Sequence, residues 1–113
     1  MFFNKENIRV IPKADTDLIL NVESIIPFYI SEVISSKTID SVAVQVFTRD
    51  FKTETNLNTF TAITANVDGF YEYTYTPIVA IKDNLYFRFK VTIGSNTHVV
   101  ESVPFTVINT GVV

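Results

Sequence analysis

Apolar and polar side chains alternate along several short segments of this chain, which is the pattern of half-buried β-strands. The clearest segment runs from Leu85 to Ile93, where every second side chain is apolar and the side chains between them are Tyr86, Arg88, Lys90 and Thr92. This alternation predicts an antiparallel strand with one face on the core and the other towards solvent.

Shorter segments of the same kind predict the remaining strands. The segment from Ile8 to Ile11 precedes Pro12 and predicts an edge strand, because proline cannot donate a backbone hydrogen bond. Further strands are predicted at residues 17–23, near residues 42, 60 and 70, and along 97–107, with a break at Glu101-Ser102 and Pro104. The pattern therefore predicts about seven strands.

Two turn signals separate predicted strands. Asn66-Val67-Asp68-Gly69 contains the Asp-Gly pair that supplies positive φ angles in hairpins, and Gly94-Ser95-Asn96 follows the strand that begins at Leu85. The polar stretch from Lys52 to Asn58 predicts a loop. The stretch from Ser24 to Asp40 shows neither period clearly, so we interpret it as a connection with partial order.

The composition agrees with an all-β fold. Of 113 residues, 42 are Val, Ile or Thr, and there is no cysteine. β-Branched residues favour strands, and a chain of this length can bury a core without disulfides. We expect a leader or edge strand at residues 1–14, one antiparallel β-sandwich at residues 15–108, and an apolar tail at residues 109–113 that could dock on a neighbouring subunit.

The charge distribution argues against nucleic acid and membranes as partners. The formal net charge is -3, and the nine Lys and Arg residues are interleaved with carboxylates. A nucleic-acid binder needs a concentrated basic face. The sequence has no run of about 18 apolar residues and no apparent signal peptide, so we expect a chain made and folded in a cytoplasm.

The residues that usually carry catalysis are scarce. His98 is the only histidine, the three glycines are isolated, and no serine lies in a nucleophile motif. We expect no catalytic site, no cofactor and no metal. A calcium site built from Asp15, Asp17, Asp40, Asp68 and Asp83 remains an alternative, although these residues more simply start or cap turns.

Two sets of aromatic and basic side chains are candidate interaction surfaces. Tyr71, Tyr73 and Tyr75 share one strand face; if exposed, they could stack on sugars or seat a protein, but the more polar opposite face favours their burial. The second set is Tyr86, Arg88 and Lys90. It is either a contact patch or a solvated sheet face.

The order of these features resembles the small immunoglobulin-like domains of tailed-phage virions, in particular the N-terminal module of baseplate upper proteins. The matching segments lie between residues 15 and 108 and are Asp17 to Val22, Thr38-Ile39-Asp40 leading into Ser41 to Val46, Asp68 to Tyr73, and the return from Leu85 to Val107.

This resemblance implies an immunoglobulin-like β-sandwich with a structural role. We expect a non-enzymatic accessory capsid (decoration) or tail or baseplate protein, assembled in the bacterial cytoplasm and present in many copies on the virion. Its partners would be other virion proteins. The alternative is a carbohydrate-binding or adhesion module that uses the tyrosine strip on host-surface glycans, and an enzyme is the least favoured hypothesis.

Overall fold

A computed structural model describes residues 8–13, 17–32, 38–78 and 85–108 of the chain. These residues form ten β-strands and no helix, which confirms the all-β prediction. The strands are β1 (Ile8–Pro12), β2 (Asp17–Ile19), β3 (Ser24–Glu32), β4 (Ser41–Asp50), β5 (Thr53–Asn56), β6 (Thr61–Ile63), β7 (Tyr71–Tyr75), β8 (Leu85–Ile93), β9 (Asn96–Glu101) and β10 (Thr106–Ile108).

The strands form two main antiparallel sheets. One has the order β1-β3-β7, and the other has the order β5-β4-β8-β9, with β6 also paired to β4. A short parallel pair, β2 with β10, lies beside them. The expected edge strand at Ile8 is confirmed as β1, whereas the expected leader before it and the expected tail at residues 109–113 lie outside the described residues.

The core is the layer between the two sheets. Successive side chains of a strand point to opposite sides of the sheet, and this alternation places Phe28 of β3 and Phe87 and Phe89 of β8 inside. Each of the three has no exposed surface. The ring centroids of Phe28 and Phe89 are 4.7 Å apart in an edge-to-face arrangement. Phe105, in the connection between β9 and β10, meets Phe87 at 4.8 Å. Edge-to-face contacts of this kind are favourable beyond the area that they bury, so the cluster holds the sheets together.

Two stretches that were not predicted as strands contain them, and the strand predicted at residues 17–23 ends at Ile19 as β2. Ser24 to Glu32, interpreted as part of a connection, is a nine-residue strand at the centre of its sheet. Pro27 and Tyr29 on its outer side obscured the alternation of Ile26, Phe28 and Ile30 on its inner side. Lys52 to Asn58, predicted as a loop, contains the fully exposed edge strand β5, whose polar sequence has no apolar face to signal it. The strand predicted along residues 97–107 is also divided into β9 and β10, so the described residues form ten strands where about seven were expected.

Strands β5 and β6 are two halves of one edge, interrupted by a bulge that Asn58 closes. Phe47 pairs with Asn56 and Val44 pairs with Thr61, so four residues of this edge lie opposite two of β4. The Asn58 side chain fills the gap in the hydrogen-bond ladder, because its Oδ1 accepts from the backbone N–H of Val46 at 2.7 Å. Its Nδ2 donates to the Tyr73 hydroxyl at 2.8 Å, which links the bulge to the other sheet.

Both predicted turns are present. Gly94, with a φ of 61°, begins the two-residue loop between β8 and β9, where glycine is the residue that adopts this backbone without strain. Asn66 organises the other turn, because its Oδ1 accepts from the backbone N–H groups of Asp68 and Phe70 at 2.9 and 3.0 Å. Gly69 has a φ of 89° there. This turn carries the chain from the β4 sheet to the β3 sheet.

The break predicted near Pro104 is a one-residue bulge. Ser102 pairs with Phe87 through its backbone, and Phe105 pairs with Leu85, so Val103 and Pro104 together lie opposite Tyr86. The Ser102 hydroxyl also accepts from the backbone N–H of Phe87 at 3.1 Å. After the bulge the chain enters β10, which pairs with β2.

Asn58→Ala is expected to lower the free energy of unfolding by about 1 to 3 kcal/mol, because it leaves the N–H of Val46 and the Tyr73 hydroxyl without this partner in a partly buried site. Urea denaturation measures the change. Asn56→Ala, on the exposed neighbouring strand, is the control and should stay within about 0.5 kcal/mol of the wild type. Equal stability of the two variants would contradict the role given to Asn58.

Candidate interaction surface

The outer side of the five-stranded sheet carries an ordered set of aromatic and charged side chains. Because β4 turns its valines inward and β8 turns Phe87 and Phe89 inward, alternation places the side chains between them outside. We call this surface the arginine face. Its members are Gln45, Phe47 and Arg49 of β4, Glu54 of β5, Tyr86, Arg88 and Lys90 of β8, and Glu101 of β9.

Phe47 lies on this outer side and nevertheless has no exposed surface. Tyr86, its direct neighbour across β4 and β8, stacks on it with ring centroids 5.3 Å apart. The guanidinium carbon of Arg88 lies 4.0 Å from the centre of the Phe47 ring, and that of Arg49 lies 5.3 Å from it. The arginines therefore cover an aromatic pair while their charged groups remain at the surface.

The two arginines are held by two carboxylates in a network that crosses four strands. Glu54 Oε2 lies 2.6 Å from Arg49 Nη2, and its Oε1 lies 2.6 Å from Arg88 Nη2. Arg49 also reaches Glu101 at 3.0 Å. Arg88 Nη2 lies 3.7 Å from Glu101 Oε2. The Arg49–Glu54 and Arg88–Glu101 contacts follow the strand register, because the two residues of each contact are directly paired. Opposite charges on directly paired residues stabilise a sheet.

The network stabilises the charged forms of two of its members, Glu54 and Arg49. The hydrogen bonds from Arg49 and then from Arg88 hold the pKa of Glu54 below its usual value. The hydrogen bonds to Glu54 and Glu101 raise the pKa of Arg49 further above its already high value. Both shifts favour the charged forms of Arg49 and Glu54, and the hydrogen bonds between them fix the orientation of the Arg49 guanidinium.

Lys90 and Gln45 extend the arginine face along the sheet. The Lys90 ammonium lies 4.2 Å from the centre of the Phe60 ring, next to β6. Gln45 Nε2 donates to the backbone carbonyl of Asn58 at 3.0 Å, so this side of the face is anchored to the β5-β6 bulge. Tyr86 and Arg88 are half-buried and Lys90 is exposed, so the predicted trio does share one surface.

Phe51 lies at the end of the β4-β5 hairpin, two residues after Arg49. It begins the two-residue loop between Asp50 and Thr53 with a φ of 54°, where glycine would be unstrained. Its side chain is 94 % exposed. A bulky residue with positive φ is an outlier, and this one gains no packing within the described chain to offset the strain.

The tyrosine strip faces inward. Tyr73 is 8 % exposed and belongs to the core cluster, and Tyr71 and Tyr75 pack against that cluster. This is the burial that the more polar opposite face of the strand predicts. Burial raises the pKa of all three hydroxyls, partly opposed at Tyr73 by the hydrogen bond from Asn58. The strip is therefore not an exposed platform for sugars.

The other candidate residues lie apart from the arginine face. His98 is half-buried on β9, as expected for an edge strand. Asp40 caps the β8-β9 turn by accepting from the backbone N–H of Gly94 at 2.6 Å, while Asp15 and Asp83 lie outside the described residues. Within the four described ranges, no group of three or more His, Asp or Glu side chains is placed to hold a metal ion.

Phe47, Arg49, Glu54 and Glu101 are functional candidates that the sequence did not reveal. The register of three strand pairs brings them together, and β5 itself was missed. Comparison with known proteins adds no family, since no protein-family model, curated protein or solved structure matches the chain. None of the described segments forms a helix long and apolar enough to cross a bilayer.

Glu54→Gln is expected to lower the free energy of unfolding at pH 7, and the deficit should shrink as the pH falls towards 2. The folded-state pKa of Glu54 is depressed, so its contribution is complete above the unfolded-state pKa of about 4.3 and is lost as the pH falls through the folded value. Thermal or urea unfolding of Glu54→Gln and of the wild type between pH 7 and pH 2 measures this difference in the free energy of unfolding.

Salt provides the control for this prediction, because about 1 M NaCl screens exposed ion pairs and should reduce the same deficit at pH 7. A deficit independent of both pH and salt would show that the Glu54 charge does not stabilise the fold.

Phe51→Gly is expected to raise the free energy of unfolding by up to about 1 kcal/mol. Removal of about 1 to 2 kcal/mol of left-handed strain outweighs the entropic cost of glycine, about 0.5 to 1 kcal/mol. Val67→Gly is the matched control, since Val67 is fully exposed and does not itself have a positive φ, and it should lose stability. A loss of more than about 1 kcal/mol in Phe51→Gly would contradict the strain assigned to Phe51.

Proposed function

We propose that the chain is an immunoglobulin-like β-sandwich that serves as a non-enzymatic structural protein of a tailed-phage virion. The strand order supports the finer fold assignment. Immunoglobulin-like domains place their strands A, B and E in one sheet and C, F and G in the other, with C′ beside C in variable-type domains. The sheets β1-β3-β7 and β5-β4-β8-β9 match the orders A-B-E and C′-C-F-G, while among the described strands none takes the place of strand D beside E.

The proposed role is that of an accessory capsid or tail or baseplate component, acting on the virion through contacts with other virion proteins. The resemblance of residues 15–108 to tailed-phage domains supports the virion assignment. The single structural observation that supports protein binding is the exposed, strained Phe51 at the end of a rigid arginine face.

The arginine face has the composition of a protein-binding surface. Arginine and aromatic residues are enriched at interfaces and at the positions that dominate their affinity. Arg49 and Arg88 are already held by Glu54 and by aromatic rings, so little side-chain entropy is lost when a partner binds. The arginine face is thus prepared for a partner before contact.

Each residue has a distinct role in this proposal. Phe51 inserts into an apolar pocket of the partner, and the strain of its backbone is the cost of keeping the ring exposed. Lys90 provides an exposed cation at the other end of the arginine face. The paired arginines and carboxylates between them set the orientation of the partner through charge complementarity.

A carbohydrate-binding function is not proposed. The hypothesis required an exposed strip of Tyr71, Tyr73 and Tyr75, and these side chains pack on the core.

The experiment is to purify phage particles produced from a genome that carries this reading frame and to quantify the chain in them by mass spectrometry. We expect many copies per particle. When the genome encodes Phe51→Gly, we expect at least a tenfold loss of the chain from particles, because an interface anchor is removed while the fold is retained. Val67→Gly, which removes an exposed apolar side chain elsewhere, should leave incorporation unchanged.

Two results would overturn the proposal. Absence of the wild-type chain from purified particles would overturn the virion role. Equal incorporation of Phe51→Gly and the wild type would overturn the assignment of binding to Phe51.

A further inference from the structure

The outer side of the three-stranded sheet carries an apolar strip that stays largely exposed, with only the Lys13 ammonium lying over one end of it, on the Phe70 ring. We call it the β3 face, and its apolar members are Ile11 of β1, Ile25, Pro27 and Tyr29 of β3, and Phe70, which precedes β7. The exposed fractions are 62 % for Ile25, 48 % for Tyr29 and 43 % for Ile11. Large exposed apolar side chains in one continuous patch are typical of an interaction site.

The strand register arranges this patch in rows across the sheet. Ile11 lies directly opposite Tyr29, and the Tyr29 and Phe70 rings meet with centroids 6.0 Å apart, so one row is apolar from edge to edge. The neighbouring row has Pro27 at its centre. The backbone N–H of Lys13 donates to Pro27 from the β1 side, and Glu72 pairs with Pro27 from the β7 side.

The charges at the two edges of the β3 face have opposite signs. Arg9 lies on β1 and Lys13 directly follows it, with the Lys13 side chain extending across the strip to the Phe70 ring. Glu72, on β7, and Asp68, in the preceding turn, lie on the β7 side. A partner that covers the apolar strip must therefore present carboxylates to one edge and cations to the other. The β3 face of a second copy meets this requirement.

We propose that the β3 faces of two copies of this chain pack against each other about a two-fold axis parallel to β3. Such a rotation exchanges the β1 and β7 edges and keeps position along the strand, so Lys13 of each copy meets Glu72 of the other. The apolar rows then face their own copies, Tyr29 on Tyr29 and Ile11 on Phe70. A two-fold axis across the strands would instead place cations on cations.

The size of the β3 face sets the expected affinity. Three strands about 4.8 Å apart and about seven residues long give a footprint of about 340 Å². Stable complexes bury about 800 Å² on each partner, so this dimer is weak and forms at high concentration or among neighbouring copies. In the single chain, Lys13 Nζ lies 4.3 Å from the centre of the Phe70 ring. A change of the Lys13 rotamer is enough to bring this ammonium to Glu72 of the second copy.

The first measurement is sedimentation velocity of the full chain between about 10 µM and 1 mM. We expect a monomer–dimer equilibrium within this range. Ile25→Lys should weaken the dimer at least tenfold, because it places a charge in the apolar strip. Val103→Lys is the matched control, since Val103 is 49 % exposed in the β9-β10 connection, and it should dimerise like the wild type. A wild-type chain that remains monomeric at about 1 mM overturns the proposal.

The second measurement tests the axis with two charge-reversed variants. Lys13→Glu alone and Glu72→Lys alone should each lose dimerisation, because each pairs like charges twice. An equimolar mixture of the two variants should recover it as a mixed dimer, since both contacts then join opposite charges. Failure of the mixture to associate beyond the separate variants overturns the proposed axis. Circular dichroism of each variant verifies that it is folded.

Discussion

The edge-to-face contact of Phe28 with Phe89, at a centroid distance of 4.7 Å, joins the two sheets, and the rest of the structure depends on it. Phe28 also meets Phe87 and Phe105, so one ring of β3 contacts residues of β8 and of the β9-β10 connection. Large aromatic side chains bury enough surface to stabilise a small domain without disulfides. Because these rings must lie inside, alternation determines which side chains of β3 and β8 lie outside.

The two outer faces that result have different properties. On β8, the inward phenylalanines place Tyr86 and Arg88 outside, where they cover Phe47. This arrangement forms a small second core whose surface is an ion-pair network. On β3, the inward Phe28 places Ile25 and Tyr29 outside, where about half or more of each remains exposed. The sandwich thus presents one surface with rigid, paired charges and one surface that is largely apolar.

The sequence predicted the strands whose two faces differ strongly in polarity. β8 and β4 were found because their apolar periodicity is unbroken on the inner side, and the two turns were found because Gly69 and Gly94 occupy positions of positive φ. β3 was missed because both of its faces are apolar, and β5 because neither is. Periodicity measures the contrast between two faces, and these strands lack it.

The candidate sites, like the strands, were predicted only where alternation within one strand defines them. The sequence by itself determined that the fold is all-β, that Tyr86, Arg88 and Lys90 share a face, and that this face is opposite Phe87 and Phe89, because these properties depend on alternation within one strand. Only the tertiary structure decided that Tyr73 lies in the core, that Phe47 is buried on the outside, and that Arg49 and Arg88 share Glu54. These properties depend on the register between strands distant in sequence, and a pattern of period two carries no information about which strands pair.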